Sequence, residues 1–267
     1  MRVLWLTCLL VGIAAGAALP SAPGDLQDQR LPAGESALAF SSGFIRLMMP
    51  LDGIVVGVAD ARKLVGAGDL VYLRMASDDD YAEGDLYTLY KREREVFHPE
   101  SGRYLGDLIS IAGIVRFIRM DRDLAVTRVV RSYDSISIGY GVMRYTAVSE
   151  EPPAPDRVLP DRPGMIVDLK ATRTLIAQYD VVYLDWGRED GLQVGDRLEV
   201  FRAPLSLSVP RRVVAELKVI AVEDHTATGL IVRSTEPLLR GDLFVFKEEA
   251  QQPGPSPSSL PSNTPYP

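Results

Sequence analysis

The chain has 267 residues, a formal net charge of −7, two histidines and one cysteine. An acidic chain lacks the basic surface with which proteins bind nucleic acid or anionic membranes, so we expect no nucleic-acid partner. The length suits one large domain or two ordinary ones.

The N-terminus has the order of a secretory signal peptide: Arg2, an uncharged run over residues 3–19, and the small residues Ala15-Gly16-Ala17-Ala18. The run is barely long enough to span a bilayer and no basic cluster follows it, which favours a cleaved signal over a retained anchor. We predict that residues 1–18 are removed and that no transmembrane anchor remains. Cys8 belongs to the removed segment, so we expect no disulfide and no thiol chemistry in the mature chain.

Composition divides the rest of the chain. Two stretches, at residues 150–156 and 253–267, are rich in proline and in polar or small residues. Such stretches cannot bury enough apolar surface to fold. We therefore predict a flexible N-terminal segment, a first module, a linker, a second module and a disordered tail, at residues 19–40, 41–147, 148–162, 163–247 and 248–267. Residues 37–49 fit either a short helix or an additional strand.

The two modules are copies of one pattern. Residues 53–56 (GIVV) align with 164–167 (GMIV), and Gly84-Asp85 aligns with Gly195-Asp196, both at an offset of 111. Further along, Ala125 aligns with Ala227, at an offset of 102. Since 111 − 102 = 9, the first copy carries nine extra residues, which we place around residues 98–103 because Pro and Gly indicate a turn there.

Both copies are predicted to be built from β-strands. Runs of Val, Ile, Leu, Tyr and Phe alternate with short turns, at the spacing typical of all-β barrels and sandwiches. Gly supplies a positive φ in a turn and Asp accepts backbone N–H bonds there. We therefore interpret five Gly-Asp pairs as structural turns: Gly68-Asp69, Gly84-Asp85, Gly106-Asp107, Gly195-Asp196 and Gly241-Asp242. The predicted fold class is all-β, with two tandem small β-barrels of SH3-like or related type.

Two aromatic residues are candidate binding residues. Trp186 lies at a predicted strand end and Tyr183 on the strand before it, and exposed aromatics of this kind stack on sugars or anchor a partner. The alternative is that they fill a barrel core, which small barrels require.

No metal or cofactor site is predicted. His98 and His225 are far apart and belong to no zinc-binding spacing. The acidic run of Asp78, Asp79 and Asp80 departs from the EF-hand calcium pattern and is interpreted as a solvated hairpin tip.

Catalytic motifs are also missing from the sequence. There is no Gly-x-Ser-x-Gly elbow, and the residues that the two copies share form turns and strands. The sequence therefore favours a non-catalytic protein. The alternative is a polysaccharide hydrolase that uses a pair of carboxylates, which sequence spacing alone does not test.

Several segments of the two copies resemble a known group of proteins. The segments of the first copy are GDLVYL (68–73), EGDLYTL (83–89), HPESGRYLG (98–106) and SYDSI (132–136). They are similar to the region downstream of the LysM domain in some bacterial envelope proteins. The segments VYLDWG (182–187) and DGLQVGD (190–196) of the second copy resemble the same proteins, and also the C-terminal β-barrel domain of flagellar assembly protein T.

This resemblance implies an exported protein of a Gram-negative-type cell envelope, in the periplasm or associated with the outer membrane, whose barrels act as scaffold or docking units. We therefore expect a non-catalytic docking or scaffold protein whose partner is an envelope protein or peptidoglycan, with an envelope polysaccharide hydrolase as the alternative. No LysM domain is visible in the sequence. The peptidoglycan binding that such a domain confers is therefore not implied.

Overall fold

The computed structural model describes residues 31–59, 65–77, 81–147, 157–158, 160–170, 179–202 and 211–247. The predicted signal peptide, residues 148–156 of the predicted linker, the predicted tail and the acidic run at 78–80 lie outside the described residues. No helix among the described residues is both long enough and apolar enough to cross a membrane.

One helix and thirteen strands make up the regular structure of the described residues. The helix α1 (Gly34–Ser42) precedes the seven strands of the first sheet, which are β1 (Phe44–Arg46), β2 (Gly53–Val58), β3 (Leu70–Met75), β4 (Leu86–Phe97), β5 (Tyr104–Asp121), β6 (Leu124–Ser132) and β7 (Gly141–Arg144). The second sheet contains β8 (Gly164–Leu169), β9 (Val181–Leu184), β10 (Arg197–Arg202), β11 (Arg212–Val222), β12 (Ala227–Ser234) and β13 (Leu243–Phe246). A single 3₁₀ turn, Arg188–Asp190, follows β9.

The two copies have the same strand order. In the second, the strands form a closed barrel in the order β10-β11-β12-β9-β8-β13. In the first, β4, β5, β6, β3, β2 and β7 are hydrogen-bonded in the equivalent ring, closed by the β5–β6 and β4–β7 pairings, and β1 is added on the outside of β5. The all-β class with tandem barrel modules is therefore confirmed.

Each barrel has its own apolar core because inward and outward side chains alternate along its strands. The core of the first barrel includes Leu73, Tyr87 and Phe117. That of the second includes Trp186 and Phe244, whose ring centroids are 4.9 Å apart in an edge-to-face arrangement.

The region at residues 37–49 contains both alternatives, since α1 ends at Ser42 and β1 begins at Phe44. Gly43, between them, has a φ of 77°. A Cβ there would lie 2.1 Å from the carbonyl oxygen of Ile109, so only glycine fits where β1 approaches β5. Helix α1 begins at Gly34, within the segment that the sequence predicts to be flexible.

The nine extra residues of the first copy lengthen the hairpin of β4 and β5. We call residues 91–110 of this hairpin the arm. Its turn is closed by the amide of His98, which donates to the carbonyl of Arg103 at 2.8 Å. The arm reaches the second barrel, where Arg94 Nε lies 3.0 Å from a carboxylate oxygen of Asp168.

The arm, α1 and β1 pack on the outer surface of the second barrel. One apolar cluster is shared between Ile45, Val96 and Leu108 on one side and Val181 and Ile220 on the other. All described residues belong to one compact unit that begins at Leu31. The two barrels are therefore joined by a packed interface as well as by the chain that connects them.

Candidate functional site

Four of the five predicted Gly-Asp turns share one geometry. The glycine has a positive φ, and the aspartate carboxylate accepts the backbone N–H of the residue three positions earlier, at distances between 2.8 and 3.2 Å. These pairs are Gly68-Asp69, Gly84-Asp85, Gly195-Asp196 and Gly241-Asp242. The aspartates hold turns in place.

Gly106-Asp107 lies elsewhere, inside β5 of the arm. Gly106 has a φ of 132°, and a Cβ there would lie 2.5 Å from the backbone of Arg46 in β1. Asp107 forms an ion pair with Arg92 at 2.6 Å. The glycine is thus required by the close approach of two strands, and the predicted turn at this position is corrected to a strand interior.

Both candidate binding aromatics are buried. Trp186 and Tyr183 are each 1% exposed, Trp186 in the core of the second barrel and Tyr183 at the interface with the arm. The Tyr183 hydroxyl donates to the carbonyl of Ser42 at 2.8 Å, and burial raises the pKa of this phenol well above its usual value, so it remains a donor. Neither ring is available to stack on a ligand. Trp186 fills a barrel core, as the alternative has it, whereas Tyr183 is buried between the second barrel and the arm.

The two histidines are each paired with one carboxylate. His98 Nε2 is 3.3 Å from Asp185, and His225 Nδ1 is 3.3 Å from Glu189. Within the described part of the chain, no group of three or more His, Cys, Asp or Glu side chains is placed to hold a metal ion. The calcium alternative at Asp78, Asp79 and Asp80 lies outside the described residues.

A cleft of about 740 Å³ lies between the two barrels. The first copy contributes α1, β1, the segment before β2, residues of β4 and β7, and the two residues Thr146 and Ala147. The second contributes the 3₁₀ turn with the residues after it and the end of β11. Its volume is in the range of sites that bind small molecules or peptide side chains, and such sites occur often at domain interfaces.

The walls of the cleft are largely apolar. Side chains of both copies form them: Phe40, Phe44, Pro50 and Met143 from the first, and Leu192, Val194 and Val222 from the second. An apolar surface of this kind gains free energy when a ligand removes it from water.

Charged side chains lie around these walls. Arg46 binds Glu223 through two hydrogen bonds, at 2.7 and 2.9 Å. Arg188 forms an ion pair with Asp224. Asp52 accepts the backbone N–H of Arg144 at 2.7 Å. Both carboxylates of the cleft, Asp52 and Glu223, are thus engaged in structural contacts.

Thr88 and Arg144 lie on neighbouring strands at the edge of the cleft. Thr88, which is 1% exposed, pairs with Met143, and the exposed Arg144 pairs with Tyr87. Because successive side chains of a strand point to opposite faces, Thr88 and Arg144 lie on opposite faces of the sheet. The charge of Arg144 acts on the Tyr87 hydroxyl and opposes the effect of burial, which raises the pKa of this phenol.

The sequence does not single out any of these residues. They come from five separated segments, around residues 39–52, 88, 143–147, 188–194 and 221–223, and only the docking of one barrel on the other brings them together. No protein-family model matches the chain, and no curated protein matches it significantly.

Proposed function

We propose that this chain is a non-catalytic docking protein of the bacterial cell envelope, and that a partner binds in the cleft between its two barrels. The cleft carries the proposal, because it is built by both repeats, is walled by apolar side chains and has charged and polar side chains around these walls. Apolar walls with a few convergent polar groups are what binding sites require.

The state of the carboxylates favours docking over hydrolysis. A glycosidase needs one carboxyl group as a proton donor and a second as nucleophile or base, across an open groove. Glu223 has both oxygens held by Arg46, and Asp52 accepts a backbone N–H bond. Both groups therefore make contacts that hold the walls of the cleft in place.

The place of action rests on the N-terminal sequence, whose charged start, apolar run and small residues favour export. The ring of paired strands in each repeat leaves few free strand edges, which suits a docking unit that must not aggregate with its neighbours. An envelope protein is the partner that we propose, with peptidoglycan as the second class.

Photo-crosslinking in cells tests the proposal. A photoreactive phenylalanine analogue replaces Val194, which lines the cleft, and in a matched strain it replaces the exposed Val213 on β11. We expect a discrete adduct in the envelope fraction from position 194 and none from position 213. If position 194 gives no adduct, or both positions give the same one, the cleft is not a docking site.

A further inference from the structure

One outward surface of the second barrel has a counterpart on the first barrel. On the second barrel, α1, β1 and the arm pack against Val167, Val181, Tyr183, Ile220 and Leu230. The offsets of 111 and 102 between the repeats give the equivalent residues of the first barrel, which are Val56, Leu70, Tyr72, Ile118 and Arg128. We call these five residues the outer face.

The outer face is less covered than its counterpart. Its four apolar side chains are half-buried, Arg128 is exposed, and none of the five belongs to an apolar cluster of the described residues. The equivalents of the four apolar residues are at most 5% exposed. No residue of the outer face lines the cleft. The first barrel thus carries, outside the cleft, the equivalent of a surface that serves as a protein interface on the second.

Helix α1 is held on the second barrel at both of its ends. In its first turn, Glu35 forms an ion pair with Lys218 of β11, at 2.5 Å. At its last residue, Ser42, the carbonyl accepts a hydrogen bond from the Tyr183 hydroxyl at 2.8 Å. A helix leaves its last carbonyls without internal partners, so this hydroxyl supplies one. Ala39, one turn after Glu35, packs in the shared apolar cluster.

Both anchors of α1 have counterparts on the first barrel. Tyr72 is equivalent to Tyr183, at the offset of 111, and Arg116 is equivalent to Lys218, at the offset of 102. The first barrel therefore has a phenol hydroxyl and a cation at the two places where the second barrel holds a helix.

The anchors of β1 are not repeated in this way. Thr226 and Thr228 hold β1 and the residue before it by donating to backbone carbonyls, at 2.7 and 3.0 Å. Their equivalents, Leu124 and Val126, have no hydroxyl. The outer face is therefore suited to a helix and not to a second edge strand.

The outer face also differs from its counterpart in charge. Arg116 pairs directly with Arg128 across β5 and β6, where the second barrel pairs Lys218 with Leu230. Both arginines are exposed, Arg128 donates to the carbonyl of Gly68 at 3.2 Å, and neither forms an ion pair within the described ranges. Like charges directly opposite each other on neighbouring strands cost free energy, and a carboxylate bound to both offsets this cost.

We infer that a partner protein docks a short amphipathic helix on the outer face, with an acidic residue of its first turn on Arg116 and Arg128 and its last carbonyl on the hydroxyl of Tyr72. Helices commonly dock in this way through one apolar side. A second copy of the chain is not the expected partner, because its own α1 is held on its own second barrel. The inference goes beyond the proposed function, since the outer face is separate from the cleft.

Photo-crosslinking in whole cells tests the inference. A photoreactive phenylalanine analogue replaces Leu70, which pairs with Arg128, and in a matched strain it replaces the exposed Val213 of β11. We expect an adduct with a second protein from position 70 and none from position 213. Mass spectrometry of the adduct identifies the crosslinked segment, which should be an amphipathic helix with an acidic residue in its first turn.

A synthetic copy of the crosslinked segment, added to the chain from residue 19 onward, measures the individual contacts. Arg116→Glu should weaken binding about tenfold or more, and exchange of the acidic residue of the peptide for Lys should restore binding to this variant. Tyr72→Phe removes only a hydroxyl and should weaken binding about threefold. Arg233→Glu, at an exposed position of β12, should leave binding unchanged.

The urea midpoint separates loss of binding from loss of the fold. Arg116→Glu replaces a pair of like charges with a pair of opposite charges, so it should not lower the midpoint. The inference is overturned if position 70 gives no adduct, if the adduct forms equally in the Arg116→Glu strain, or if the crosslinked segment is not an acidic helix. An adduct with a second copy of the chain would overturn it as well and assign the outer face to self-association. Adducts at position 194 that persist in these cases show that docking in the cleft stands without this second surface.

Discussion

The turns before β3 and β9 place two different residues in the same backbone conformation. Gly68 has a φ of 95° and Tyr179 a φ of 71°. Their amides make equivalent hydrogen bonds, to the carbonyls of Val129 and Ile231, both at 2.8 Å. Both repeats thus keep the same turn. In the second, the positive φ falls on Tyr179 and not on a glycine, so the backbone of this turn is strained.

Exchange of these residues should change stability in opposite directions. Tyr179→Gly should raise the free energy of unfolding by about 1 kcal/mol, because a non-glycine residue in the left-handed region is strained. Gly68→Tyr should lower it by a similar amount, since a Cβ there meets no atom within 4 Å and backbone strain is the main effect. Urea titration of the full chain measures both, and changes of the same sign would contradict the equivalence of the two turns.

The roles that could be predicted from the sequence are those that depend on neighbouring residues of the chain. A Gly-Asp turn depends on its own backbone and on a carboxylate three positions away, so Gly84-Asp85 and Gly195-Asp196 carry their signal in the sequence. Tyr183 points away from its own barrel core and would be exposed in an isolated barrel. Its burial depends on packing against residues such as Ser42 and Ile45, far away in the chain.

Among the elements, β1 depends most on its surroundings. It has three residues and pairs only with β5 in the described structure. Its free edge faces the second barrel, where Thr228 and Thr226 donate hydroxyl hydrogen bonds to the carbonyls of Gly43 and Ile45, at 3.0 and 2.7 Å. Side chains of one repeat thus satisfy an edge strand of the other, which blocks pairing with foreign strands.

Gly106 is the position at which this arrangement is most sensitive. Gly106→Ala should lower the free energy of unfolding by about 2 kcal/mol or more, because the new Cβ would collide with the backbone of Arg46 and the backbone has a positive φ.

Gly57→Ala, in β2, is the matched control for Gly106→Ala. Gly57 has an ordinary φ, and its Cβ would make ordinary contacts with Tyr72, the nearest at 3.5 Å, so a change within about 0.5 kcal/mol is expected. Equal urea midpoints for the two variants would show that β1 does not lie against β5 in solution.

At the scale of the whole molecule, repetition was visible in the sequence and the assembly of the repeats was not. The offset of 111 aligns β2, β3 and β4 with β8, β9 and β10, and their rings have the same strand order. The position of the nine extra residues also followed from the alignment. The sequence did not predict that these residues lengthen an arm which packs on the second barrel. This packing depends on contacts between residues far apart in the chain, such as the ion pair of Arg94 with Asp168.

The shared interface predicts what happens when the connection between the barrels is cut. With a specific protease site in place of residues 150–155, we expect the cleaved halves to elute together in gel filtration, because the apolar cluster and the hydroxyl contacts remain. Interfaces of this kind within one chain hold domains together when they are large and apolar.

The control for this cleavage is Val96→Asp, which places a charge in the shared apolar cluster on the arm. The halves of that variant should separate after cleavage. If the halves of the unmodified protein separate as well, the barrels are independent units and the cleft between them would not persist.

The arm makes the contact between the two copies directional. Only the first copy has the nine additional residues, and the arm that they lengthen contacts the second barrel through Arg94 and Asp168. Head-to-tail contacts between like units usually continue into open filaments unless geometry closes them. Here the contacting surface and the contacted surface differ by an insertion, so the two copies are not interchangeable. Exchanging their order along the chain would remove the arm from the interface.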